Sequence, residues 1–129
     1  MIYFIDENLS PRLLEGIEVD GIAISFVPLR SVYPANTKDP EWIPEVGDKG
    51  WVVLSRDAKM AQFRVHRPAL EEHKVTIVFL PKSLFNKTII EQKAWISLTF
   101  HKIHNFVSAL AEPSAIQVSS NGSCTILWP

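Results

Sequence analysis

Cysteine is all but missing: Cys124 stands alone, so the chain forms no internal disulfide and offers no cysteine-based zinc pattern. Glycine is scarce at five residues, and no glycine-rich phosphate loop occurs. No apolar run is long enough to span a bilayer. Met1 leads straight into Ile2-Tyr3-Phe4-Ile5 without a basic segment or a cleavage site. That predicts no secretory signal and a cytoplasmic protein with no membrane partner. Internal repeats and low-complexity linkers are also lacking.

What is present fits one globular domain, expected over residues 1–129, with 47% apolar and 21% charged residues. The net charge of −1 is unevenly spread. Residues 1–57 carry ten acidic and five basic side chains, and residues 58–129 carry four and eight. A cation site beside a phosphate-binding surface fits this division, as does accidental surface charge.

Ile2–Ile5 reads as a buried strand. Ser10-Pro11 reads as a helix start, with Leu13, Leu14 and Ile17 apolar and Gly16 and Gly21 bracketing the end. Residues 22–27 form a second strand and 28–38 an irregular loop. Asp39-Pro40 opens a helix reaching about Lys49, with Pro44 inside it. Residues 51–55 form a third strand, followed by a basic stretch containing Lys59, Arg64, His66, Arg67, His73 and Lys74. Residues 75–80 form a fourth strand, stopped by Pro81. Thr88-Ile-Ile-Glu91 matches a capping box. Behind it Ile89, Ile96, Phe100, Ile103, Val107 and Leu110 recur at helical spacing. Residues 115–118 and 125–127 read as a terminal hairpin. Alternating strands and helices predict an α/β fold with a mostly parallel sheet flanked by helices, whose sites open at the carboxyl ends of strands.

Asp6 ends the first strand, Asp57 follows the third, and Asp39 begins the helix between them. Two carboxylates about 4 Å apart repel by about 4 kcal/mol at an effective dielectric of about 20. A fold that gathers all three therefore needs a cation. Magnesium or manganese suits oxygen ligands, and either activates water and stabilises charge on a phosphodiester oxygen. Glu7, Asn8 and Glu41 would complete the ligand set or hold waters. Each acid also fits an ordinary turn or helix cap, so a shared site and separate caps both remain open. His101 and His104, at i,i+3, read as a surface pair. Trp42, Trp51, Trp95 and Trp128 read as core or helix-packing residues.

The stretches "IDENLSPRLLEGI", "DPEWIPEVGDKGWVVLSRDAKM" and "VTIVFLP", in that order and spacing, resemble the PIN-like domain family. They look closest to its branch of VapC-type toxins of toxin–antitoxin modules. The likeness covers residues 2–81, and the later helix and hairpin are similar in order. It implies a PIN-like fold, a Mg2+- or Mn2+-dependent endoribonuclease, an RNA substrate and a cognate antitoxin. Asp6, Asp39 and Asp57 match the family's metal-site acids, with Glu7 and Glu41 as helpers. The family's glutamate between the first two has no counterpart, because residues 21–38 contain no acid. Arg12, Arg56, Lys59, Arg64 and Arg67 are candidate RNA phosphate contacts, and a homodimer is compatible. The rival readings are a PIN-like RNA-binding module without catalysis and a phosphoacceptor receiver-like signalling domain. In the latter Lys82 would stand in for the phosphate-sensing lysine.

Overall fold

The computed structural model describes the chain apart from residues 7–8, 35–38, 57–59 and 129, with residues 39–40, 60–65 and 128 described by backbone alone. It begins with β1 (Ile2–Ile5), a 3-10 turn (Pro11–Leu14), β2 (Glu18–Val19), β3 (Ile22–Ala23) and β4 (Ser25–Pro28). Then come α1 (Leu29–Val32), α2 (Asp39–Lys49), β5 (Val52–Ser55), α3 (Met60–Glu72) and β6 (Ile77–Phe79). A second 3-10 turn (Lys82–Asn86), α4 (Ile89–Ser108), β7 (Ala115–Val118) and β8 (Cys124–Trp128) complete it.

The main sheet runs β4-β1-β5-β6-β7-β8. All its pairings are parallel except the last, where β8 turns back along β7 as the expected hairpin. Side chains alternate across the sheet, because successive strand residues face opposite ways. Tyr3, Ile5, Val52, Leu54, Val78, Ile116 and Val118 pack with Ile96, Phe100, Ile103 and Val107 of α4. Phe4, Val53, Ile77, Phe79 and Ala115 pack on the other face with Trp42, Ile43 and Val46 of α2 and Leu70 of α3. Both faces are covered, which is why the strands read as unbroken apolar runs rather than alternating ones. Each Val, Leu, Ile or Phe among them contributes about 1.5–3 kcal/mol through burial.

Local signals explain several elements. The capping box at the start of α4 is complete: Glu91 N–H donates to Thr88 Oγ1, and Thr88 N–H donates to Glu91 Oε1. Burial of Ile96, Phe100, Ile103 and Val107 confirms the helical stripe, but Ile89 is exposed and stands outside it. Gly47 lets α2 approach α3 closely, since a Cβ there would collide with the carbonyl oxygen of His73.

Other expectations are corrected. The helix from Ser10 is only one 3-10 turn, Ser10 makes no side-chain cap, and the chain turns away at Gly16 with φ +74°. Residues 22–27 are not one strand. Asp20 and Gly21, both at positive φ, form a two-residue turn between β2 and β3, and the sheet strand begins at Ser25. The expected loop at 28–38 contains α1, and residues 35–38 of it lie outside those described. The fourth strand shortens to Ile77–Phe79. Residues 60–72 of the basic stretch after β5 fold as α3, with Pro68 inside.

Candidate functional site

From β1 the chain adds β4 on one side, then returns to add β5, β6 and β7 on the other. The order therefore reverses between β1 and β5. In open α/β sheets, ligand crevices form outside the carboxyl ends of strands at such a reversal. Asp6 and Ser55 are what these two strands deliver there.

Asp6 is held by backbone on both sides. Its N–H donates to the Leu54 carbonyl at 3.0 Å, and its carbonyl accepts the Leu9 N–H at 3.0 Å. Leu9 is itself buried in the core. The side chain is held as well: Ser55 Oγ donates to Asp6 Oδ2 at 2.7 Å. Ser55 is buried and Asp6 half-buried. A hydroxyl donating to a carboxylate is a charge-assisted bond, stronger and more orienting than a neutral one. The Ser55 carbonyl in turn accepts the Leu80 N–H at 2.9 Å, tying in the end of β6.

Arg56, the next residue, is exposed, and its guanidinium lies 4.2 Å from the centre of the Phe85 ring on the second 3-10 turn. Glu41 is exposed near the start of α2. Because α2 runs back to the amino end of β5, that start lies toward the carboxyl edge where β1 and β4 end. Asp39 opens the same helix, but its side chain is not among those described. Glu45, one turn beyond Glu41, is already engaged by the Tyr33 hydroxyl and by Lys49 Nζ at 3.2 Å. Those hydrogen bonds, the tyrosine's first, hold the Glu45 carboxyl below its usual range. Burial, then the bond to Glu45, pushes the Tyr33 hydroxyl up to about 12.

Of the remaining candidates, Glu7, Asp57 and Lys59 lie outside the described residues, and Arg64 is placed by backbone only, in α3. Arg12 is exposed on the first 3-10 turn. Arg67 sits about two turns into α3, away from the edge, and its Nε donates to Glu71 Oε1 at 2.9 Å. Trp42 is buried and packs on Phe4 at 5.2 Å between ring centres, so it turns inward rather than toward a base. The two α4 histidines part company. His101 is exposed, while His104 is half-buried, with Nδ1 2.8 Å from the Tyr3 hydroxyl. Burial first, then the N-terminal charge, holds the His104 pKa below its ordinary value.

Sequence reasoning missed Ser55 and Phe85. A signal for Ser55 was present: it is the one polar residue closing the apolar run Val52-Val53-Leu54, on a strand beside the one that ends at Asp6. Phe85 had no local signal, because its contact with Arg56 is tertiary. Among the described residues, no three His, Cys, Asp or Glu side chains are grouped to hold a metal ion, and no helix is long and apolar enough to cross a membrane.

A family model described as a PIN like domain matches residues 1–82, which span β1 through β6. No curated protein and no solved structure matches the chain.

Proposed function

The chain belongs to the PIN-like domain family, whose members are generally metal-dependent nucleases, and on that premise we propose that it is an endoribonuclease dependent on Mg2+ or Mn2+. Within that reading it is the toxin of a VapC-type toxin–antitoxin module. The observation that supports it most is Asp6, fixed by Ser55 where the strand order reverses.

Asp6, Asp39 and Asp57 would hold the cation, with Glu7 and Glu41 assisting. The donor set is all oxygen, and the one carboxylate whose contacts are described is already oriented, which suits a hard ion that tolerates little misplacement. When bound, the cation activates water and stabilises charge on a phosphodiester oxygen. The net reaction is hydrolysis: water adds at phosphorus and one ester P–O bond breaks. Arg12, Arg56, Lys59 and Arg64 would hold RNA phosphates. In the same reading residues 1–129 form one cytoplasmic domain, an antitoxin blocks the crevice, and two copies can pair.

The test is digestion of RNA in Mn2+ by the wild type, Asp6→Asn and Asp57→Asn. Cleavage by the wild type alone, stopped by EDTA, supports the proposal. Cleavage that survives EDTA or both substitutions refutes it. One feature favours a second reading, a binding module without catalysis: residues 21–38 supply no acid. RNA binding without cleavage in Mn2+ selects that reading.

A further inference from the structure

We infer that Phe85 is a positioning residue: its ring holds the Arg56 guanidinium at the mouth of the crevice, available to RNA. This rests on the ribonuclease reading above.

The reason lies in where Arg56 sits. It directly follows Ser55, whose hydroxyl contacts Asp6. Its guanidinium is seated 4.2 Å from the Phe85 ring centre. The face of an aromatic ring attracts a cation while leaving its outer face and N–H groups accessible. Arg56 is exposed, so those groups remain open to a phosphate or to a stacked base.

The ring is well placed to serve as a seat. Phe85 is half-buried and packs against the core cluster that contains Leu80 and Leu84. Its turn is closed by Leu84 N–H to the Pro81 carbonyl at 3.1 Å and Lys87 N–H to the Leu84 carbonyl at 3.2 Å. The Leu80 N–H bond to Ser55 fixes this turn relative to β5. Lys82 and Lys87 flank Phe85 and are exposed, so the same turn adds positive charge to the rim. Residues 83–87 lie past the end of the family match, so this device belongs to the part of the chain that the match does not cover.

The test is a double-mutant cycle on the full chain. Affinity for a labelled, unpaired RNA oligonucleotide is read by fluorescence anisotropy in EDTA, and kcat and KM are read separately in Mn2+. Phe85→Leu is expected to lose about two- to fivefold in affinity and to raise KM by a similar factor with kcat nearly unchanged. Phe85→Tyr, which keeps a ring face, restores the affinity. In an Arg56→Ala background Phe85→Leu has no further effect. If Phe85→Leu fails to fold, Phe85→Met replaces it in the cycle. Wild-type affinity in Phe85→Leu, or an equal loss in both backgrounds, overturns the inference. If the wild type cleaves RNA through Asp6 yet ignores Phe85, only this inference falls. If it binds no RNA at all, both readings fall together.

Discussion

Replacing Ser55 by alanine removes a single oxygen from the carboxyl end of β5, and its effect follows from three observations. The bond to Asp6 Oδ2 is 2.7 Å, Ser55 is 7% exposed, and Asp6 is half-buried. Hydrogen bonds to charged groups contribute about 1.5–3 kcal/mol. Water can reach the half-buried carboxylate and replace part of that, so the lower end applies, about 1.5 kcal/mol. Alanine leaves no cavity beyond the missing hydroxyl, so no large packing cost is added. For a chain of this size that loss lowers Tm by roughly 5 °C. Calorimetry at neutral pH in EDTA measures it. The companion experiment repeats Ser55→Ala in an Asp6→Ala background, where the cost should fall by about 1 kcal/mol, since the partner is gone. Equal costs in the two backgrounds, or a loss under about 0.5 kcal/mol in the first, would show that the bond does not hold the carboxylate and that the site lacks its anchor.

Three further outcomes are expected. Gly47→Ala should destabilise by about 1–3 kcal/mol, because the new methyl meets the backbone carbonyl of His73 and not a yielding side-chain tip; urea unfolding measures it. Phe100→Ala should cost about 3–5 kcal/mol, since Phe100 is 2% exposed and packs on Tyr3 and Phe26; the same unfolding assay reads it. His104 is held below its ordinary value of 6.5, so the unfolded chain binds the proton more readily. Its contribution to stability is present above about pH 6.5 and is lost as pH falls through the lower folded value. His104→Gln should flatten the slope of Tm against pH across that window.

Legibility in the sequence followed how local each signal was. β1, β5 and α4 were readable because their cues sit within one element: a short apolar run, or a capping box followed by a helical stripe. α3 was not, because Pro68 interrupts it and Leu70 is its one fully buried side chain among those described. The β2–β3 hairpin carried a clear Asp20-Gly21 turn signal, which reading Gly16 and Gly21 as a helix end obscured. At the site, Asp6 was legible because strand ends in a parallel sheet share an edge. Its bond to Ser55 depends on the register Ile5 to Leu54, which only the folded sheet reveals. The seating of Arg56 on Phe85 joins residues on different strand-to-helix connections, beyond the reach of periodicity.

The Tyr3–His104 hydrogen bond spans 101 residues. At about 5–20 residues per second of synthesis, roughly 5–20 s pass between the making of the two partners. Throughout that interval the first strand lacks the complete helix α4 that covers it, and Tyr3 and Ile5 are without that cover. A nascent chain paused before His104 therefore shows the cell an unshielded greasy surface, and ribosome pausing in that stretch is where chaperone demand should peak.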